Sequence, residues 1–327
     1  MVPAMTTYIP PPGYTAITVP EDHDGRRIHK FLAGHTTCPA TMLFKLARKG
    51  ALRVNQKRIK QDHRVRGGDV ITLPGEFCKE AKRASKSKNH GFEMLWEGPT
   101  ALVVNKPAGV PVHAGTGTRR GVIERIRDVY PDAELAHRID KETSGALLIT
   151  LNHAELRHLQ RAFREQNVIR IYRAVVEGRW AGARDVKAPI ARTPKTMVVS
   201  ADGDDAHTRF RRVENRGPNT LVEAELITGR RHQIRVHAAH ESHPIIGDRA
   251  YGSRTSAQRM FLHAYRLEFT LRNSERVVVT APVREHTASV VRYQLRHSPA
   301  HAKTRVGVSL YRAFNARQMR PGLPGGP

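Results

Sequence analysis

Near the start of the chain, apolar positions recur twice at helical spacing. Ile28, Phe31 and Leu32 share one face of residues 27–35, and Met42, Leu43 and Leu46 share one face of residues 39–49, where Gly50 supplies the stop. Leu52 and Val54 then alternate as a short strand, and the turn Gly67-Gly68-Asp69 leads into Val70-Ile71-Thr72-Leu73. Farther on, the period changes to two. Leu102-Val103-Val104 reads as a buried strand closed by Asn105-Lys106-Pro107, residues 147–151 as another, and residues 168–176, 220–228 and 261–271 as half-buried strands. Between them Leu156, Leu159 and Phe163 mark residues 154–166 as an amphipathic helix. Strands that follow one another without a βαβ rhythm predict an α+β fold: a small αα/β unit, then a mixed, largely antiparallel sheet flanked by helices.

Punctuation residues divide the chain. Residues 1–16, with Pro10-Pro11-Pro12-Gly13, read as a flexible arm, and 17–74 as the small unit. Residues 75–92 are charged and contain Ser85 and Ser87, which suits a linker, and 93–295 form the large domain. Residues 296–327 hold six Lys or Arg and no acid, end in Pro-Gly-Leu-Pro-Gly-Gly-Pro, and read as a disordered basic tail.

Charge narrows the choice of partner. Fifty-five Lys+Arg against 30 Asp+Glu give a net +25 that is spread along the whole chain. Such a balance points to a polyanion, nucleic acid before an acidic membrane. Aromatic residues make up only 6%, so grip on phosphates and shape fits better than a stacking platform for single strands. Residues 17–74 alone carry 12 basic and 5 acidic side chains. Lys45, Arg48, Lys49, Arg53, Lys57, Arg58 and Lys60, on the second helix and the strand region after it, are the candidate phosphate contacts. Cys38 and Cys78 form no CxxC pair and suit a reducing compartment. No signal-peptide pattern and no apolar run of roughly 18 residues is present, which predicts a cytoplasmic protein with no membrane contact.

The densest chemistry lies in the run His137-Arg138-Ile139-Asp140-Lys141-Glu142-Thr143-Ser144-Gly145. It sets the Asp140 carboxylate between a basic pair and a polar turn, just before an apolar strand. A nearby guanidinium favours the ionised form and a strand fixes its place, as a nucleophile or base requires. This run resembles the HRLDxxTSG signature of the RluA-type pseudouridine synthases, with Ile139 for Leu. Residues 103–113 are similar to that family's KPxGxxVH block, and there Lys106 and the glycines are placed to approach a phosphate. Residues 170–178 are similar to its KxYxAxVxG strand, with Arg170 for Lys, and residues 228–252 look like TGRxHQIRVH…HPIxGDxxYG. The small unit resembles an S4 RNA-binding domain, with His29 where an Asp is usual. The resemblance spans roughly residues 17–295, and residues 43–60 and 112–127 look closest to the branch that modifies large-subunit ribosomal RNA.

What the resemblance implies is concrete. The enzyme would isomerise specific uridines in RNA to pseudouridine: the C1′–N1 bond breaks, the base turns, and it rejoins through C5. Nothing enters or leaves, so no cofactor or metal is required. Asp140 would be the catalytic carboxylate, acting at the sugar, the base or a 2′ proton. Arg235 would keep it ionised, and Tyr172 would stack on the base and assist loss of the C5 proton. Arg138 would fill the space of the flipped nucleotide. His137, Thr143, Ile234, Arg230 and Lys106 complete the expected RNA-facing set, and the protein is expected to be a monomer. Two other readings stand beside this one. The same basic surfaces suit a non-catalytic RNA-binding factor in ribosome assembly. His232, His237, His240 and His243 also form a cluster of metal-ligand type, although no HExxH is present.

Overall fold

The computed structural model describes residues 8–78, 90–115, 120–194, 196–255 and 257–283. The chain divides into residues 1–283 and 284–327, and the second part, which includes the expected tail, lies outside the described residues. So do residues 79–89, the middle of the expected linker.

The first element, β1 (Tyr14–Thr18), belongs to the small sheet, so the arm expected over 1–16 ends before Tyr14. Next come α1 (Ile28–His35), α2 (Ala40–Lys49), β2 (Arg53–Val54), β3 (Lys57–Arg58) and β4 (Val70–Pro74), with sheet order β1-β4-β2-β3. α2 ends where Gly50 adopts φ 72°, a left-handed cap that a glycine takes without strain. Ile28, Phe31, Leu32, Leu43 and Leu46 bury their shared faces against Ile71 and Leu73. Phe77 and Cys78 also pack on this core, and Thr36 bridges Cys78, so the unit runs to residue 78 rather than 74. Both cysteines are free.

The large sheet is built from β5 (Glu93–Glu97), β6 (Ala101–Lys106), β7 (Glu134–Leu135), β8 (Ser144–Thr150), β9 (Ile169–Val176), β10 (Ala183–Lys187), β13 (His207–Arg216), β14 (Asn219–Leu226), β15 (Leu262–Thr270) and β16 (Arg276–Thr280), while β11 (Ile190–Arg192) and β12 (Met197–Val199) pair apart from it. Its main path is β10-β13-β14-β9-β15-β8-β6-β5, and every pairing is antiparallel except β8 with β15. Helices α3 (Val122–Ile126), α4 (His153–Arg164) and α5 (Gln233–His240) flank it. The mixed, largely antiparallel sheet expected from the sequence is therefore present. Among the described residues no helix is long and apolar enough to cross a membrane.

Register puts one row of residues across six strands: Lys106, Gly145, Ala264, Tyr172, Ala224 and Phe210 are successive partners on β6, β8, β15, β9, β14 and β13. Small residues on both sides of Tyr172 leave its ring the tallest group in the middle of that row. Gly145 has φ 111°, and a Cβ there would lie 2.3 Å from the Ala264 carbonyl oxygen. Only glycine lets the start of β8 lie this close to β15. The small sheet is tied to the large one by Arg26, which is buried, donates to Asp132 at 2.9 Å and forms an ion pair with Glu134 at 3.0 Å.

Candidate active site

Asp140 stands in the loop between β7 and β8, held from both sides. Ile139 before it is buried in the main core, and Thr143 after it is buried and closes a turn by donating its amide to the Asp140 carbonyl. Below the turn, Lys106 donates to the carbonyls of Pro107, Val110 and Lys141 at 2.9, 2.7 and 2.9 Å. The Gly109 amide reaches the same Lys141 carbonyl. Burial pushes the Lys106 ammonium down to about 7, with Glu142 and Asp140 opposing.

Arg235 reaches Asp140 from the first turn of α5, with Nη1 3.2 Å from Oδ2. Its other two nitrogens are taken by Asp248: Nε donates to Oδ2 at 2.7 Å and Nη2 to Oδ1 at 2.9 Å. Side-chain exposure falls from 22% at Asp140 to 9% at Arg235 and 2% at Asp248, so the pair is anchored in the protein and open at the Asp140 end. The Tyr251 ring lies under the guanidinium at 4.8 Å. His232, just before α5, accepts or donates at Nδ1 with the Tyr251 hydroxyl at 2.8 Å, and its Nε2 is 3.8 Å from Asp140 Oδ2. Gln233 fixes this helix start. Its side-chain oxygen accepts from Thr228 and the Arg230 amide, and its nitrogen donates to the His207 carbonyl and Thr208.

Tyr172 rises from β9 into the same cluster as Ile139 and Ile234. Burial pushes its hydroxyl up to about 12; Arg170 opposes this and the nearby Asp140 charge adds to it, so at neutral pH it is a phenol. A carboxylate with a locked cation, an aromatic ring and a neutral hydroxyl beside it, partly exposed at the carboxylate end, suits attack on a flat, uncharged ring brought against Tyr172.

Asp140, Tyr172 and Arg235 are thus brought together as expected, and Arg138 is exposed beside them. Several other expectations are corrected. Lys106 is fully buried with all three N–H groups on carbonyls, so it shapes the Asp140 loop and meets no phosphate. His137 takes the Leu148 amide at Nε2, and burial aided by Arg170 pushes it down to about 3, which makes it a neutral prop rather than an RNA contact. Thr143 and Ile234 are buried and support the loop and the helix start. Arg230 is exposed but turned toward the Asp205 carbonyl and Asp204. Lys45, Arg48, Lys49, Arg53, Lys57, Arg58 and Lys60 are all exposed, with Arg53 and Arg58 also bonded to backbone carbonyls of Gly50 and Lys49. In the histidine cluster, His237 donates from Nε2 to the Ala188 carbonyl and accepts from Thr208 at Nδ1, while His243 donates to the Glu177 carbonyl. Among the described residues no group of three or more His, Cys, Asp or Glu side chains is placed to hold a metal ion. The partners missed from sequence were Asp248, Tyr251 and the inward-facing role of His232. The first two lie in the Gly247–Gly252 block, whose polar residues between glycines were the available signal.

The model of the RNA pseudouridylate synthase family matches residues 100–240, from β6 through the end of α5. A ribosomal large subunit pseudouridine synthase C of Vibrio vulnificus is 38% identical over 298 residues, covering 84% of this chain and 95% of its own length. The protein of the same name from Escherichia coli is 35% identical over 301 residues, 84% and 94% of the two chains. Among solved structures, human RNA pseudouridylate synthase domain containing 1 superposes with a TM-score of 0.53 at 24% identity, over 72% of this chain and 98% of that one, a likeness of fold. With kinship at this level running almost end to end through its relatives, the chain belongs to the RluA family of pseudouridine synthases and is an enzyme that isomerises uridine in RNA.

Proposed function

We propose that this enzyme makes pseudouridine at specific positions of large-subunit ribosomal RNA, with Asp140 as the catalytic carboxylate. The observation that carries the assignment is the Arg235 bridge between Asp140 and Asp248. A cation locked at the back of a partly exposed carboxylate balances its charge and aims it without covering it. Tyr172 supplies the ring against which the uracil lies while its C1′–N1 bond is broken and C5 is brought to C1′. Its phenol can accept the C5 proton only while passing its own hydrogen to an anion, and the Asp140 carboxylate, freed once the C5–C1′ bond has formed, is the anion whose field reaches it. Arg138, exposed beside the loop, takes the place of the flipped nucleotide, whose unstacking costs a few kcal/mol.

The choice of ribosomal RNA draws on the names of the relatives and on the basic unit of residues 14–78, which we read as an S4-like module gripping RNA through its exposed lysines and arginines. On this reading the enzyme works in the cytoplasm as a monomer, without metal or cofactor, because isomerisation adds and removes no atoms. The test is a pseudouridine map of ribosomal and transfer RNA from cells with and without the gene, complemented by wild type and by Asp140→Asn. Sites in large-subunit RNA that vanish and return only with wild type are expected. Loss confined to transfer RNA would overturn the substrate, and full complementation by Asp140→Asn would overturn the catalytic residue.

A further inference from the structure

Beside Asp140, His232 has an unusual backbone conformation. It has φ 56° and ψ 18°, a left-handed backbone that a non-glycine residue rarely adopts, and it adopts it at the entrance to α5. The consequence is directional: the imidazole turns into the site, with one nitrogen on Tyr251 and the other toward Asp140.

The hydrogen bonds decide which nitrogen carries the proton. The Met197 amide donates to the Tyr251 oxygen at 3.3 Å, so that oxygen already accepts once. Its own hydrogen needs an acceptor, and His232 Nδ1 lies at 2.8 Å. Tyr251 therefore donates to Nδ1, and the proton of the neutral ring sits on Nε2, pointing at the carboxylate. The opposite tautomer would set a nitrogen lone pair against a carboxylate oxygen 3.8 Å away, which is repulsive. Burial, with Arg235 and Arg231 nearby, lowers the imidazole's affinity for a second proton, against the pull of Asp140.

Arg235 Nη1 and His232 Nε2 both approach Oδ2 of Asp140. We infer that His232, held as its Nε2–H tautomer by the Tyr251 hydroxyl, is a positioning residue for the reaction: Arg235 bonds Oδ2, the His232 N–H faces the same oxygen from 3.8 Å, and Oδ1 is left to meet the uridine. Tyr251 serves both arms, its ring under Arg235 and its hydroxyl on His232. The inference rests on Asp140 being the reacting carboxylate, and its test keeps the two apart.

The experiment is single-turnover release of tritium from C5-labelled uridine in large-subunit ribosomal RNA, with RNA affinity measured separately by filter binding. Asp140→Asn is assayed first; if it is active, the catalytic assignment fails, and this inference with it. Given an inactive Asp140→Asn, His232→Phe should slow the step by about tenfold, because the 3.8 Å approach of Nε2 to Oδ2 is an electrostatic contact and not a full hydrogen bond, at unchanged affinity. His232→Gln, whose amide nitrogen reaches the place of Nε2, should recover most of that rate. Tyr251→Phe keeps the ring under Arg235 and removes only the hydroxyl, so it should lose several-fold in rate, again with affinity intact. A His232→Phe enzyme as fast as wild type would overturn the inference. So would a His232→Gln enzyme that is folded by circular dichroism yet no faster than Phe, or a Tyr251→Phe enzyme with the wild-type rate.

Discussion

Asp248 holds Arg235 through two hydrogen bonds of 2.7 and 2.9 Å, whereas Asp140 receives a single one of 3.2 Å from the same guanidinium. The stronger pair is the buried one, and that asymmetry separates two tasks. Asp248 sets the cation's position, and Asp140, at the exposed end, keeps a free oxygen. Asp248→Ala should be severely destabilising, because it leaves a buried arginine with one distant partner. Breaking a buried pair from one side costs about 3–5 kcal/mol. Urea unfolding should show a much lower midpoint for Asp248→Ala. A midpoint equal to wild type would mean that Arg235 is held by something else.

Replacing the cation itself separates charge from shape. Arg235→Lys keeps a positive charge near Asp140 but loses the planar fork that reaches two carboxylates at once. Arg235→Ala loses both and leaves Asp248 buried without a counter-charge. The order of single-turnover rates should be wild type, then Lys, then Ala, with the Ala enzyme also the least stable. Equal rates for the two variants would argue against any role for the Arg235–Asp140 contact.

Tyr172→Phe tests the phenol. The ring and its burial survive, so RNA affinity and fold should change little. The hydroxyl is lost, and a general acid–base group is worth about 10²–10⁴-fold. A rate within threefold of wild type would leave Tyr172 as a packing surface alone.

Much of the site was legible in the chain because its parts fall in contiguous runs: the Asp140 loop, the strand of Tyr172 and the turn before α5. What one sequence could not separate, inside those runs, was the group that faces substrate from the group that holds it. Lys106, Thr143 and Ile234 look like reaching side chains in a motif, yet all three are buried supports. Asp248 and Tyr251 act on Arg235 and His232 from 13 and 19 positions away, and only folding brings them into contact. The sheet shows the same divide. β14 alternates clearly, whereas β13 reads His-Thr-Arg-Phe-Arg-Arg-Val-Glu-Asn-Arg and buries only Thr208 and Phe210. Its outer half is largely exposed and mostly charged, with Val213 and Asn215 among the charges, so the period of two fades where the strand leaves the core.

Acid should weaken the fold before carboxylates begin to titrate. Burial pushes His137 down to about 3 and His263 down to about 4. His263 bonds to Ser144 through Nδ1 and to the Ala281 carbonyl through Nε2, at 2.9 and 3.3 Å. In the unfolded chain both rings take up a proton below about 6.5, so the unfolded state binds more protons than the folded one from there downward. The stability these neutral rings contribute is complete above about pH 6.5 and is lost as pH falls toward 4 and then 3. Each group adds up to about 1.4 kcal/mol per pH unit. Urea midpoints at pH 7.5, 6 and 5 should fall steadily, and His137→Gln, which can still accept the Leu148 amide, should flatten the decline. An unchanged slope in that variant would place the acid sensitivity elsewhere.

Gly145→Ala should test the parallel junction of β8 and β15. The new methyl would meet the Ala264 oxygen at 2.3 Å, and backbone cannot step aside as a flexible side chain can. The backbone conformation adds its own strain, and together a loss of about 3 kcal/mol or more is expected. Gly217→Ala is the control, since that residue also has positive φ but nothing within 4 Å of the added carbon. It should cost about 1 kcal/mol. Similar urea midpoints for the two variants would show that close approach of the strands is not what requires glycine at 145.

The small basic unit invites deletion, but Arg26 argues against that experiment. Removing it would strip Asp132 and Glu134 of a buried partner, and any loss of activity would mix misfolding with lost RNA contacts. Substitution avoids this. Lys45, Arg48, Lys49, Lys57 and Lys60 are exposed, and no described side chain pairs with theirs, so changing all five to Gln should leave the unfolding midpoint close to wild type. Each phosphate contact contributes a salt-screened increment, about 0.7–0.9 in the slope of log affinity against log salt. A salt titration on one large-subunit RNA fragment should therefore give the five-fold variant a slope shallower by up to about 4, with weaker binding at low salt. Because the residues assigned to the chemistry lie beyond residue 137, the single-turnover rate at saturating RNA should stay near wild type. Coinciding salt slopes would mean that this face does not grip RNA, and the resemblance of residues 14–78 to an S4 domain would then be one of shape alone.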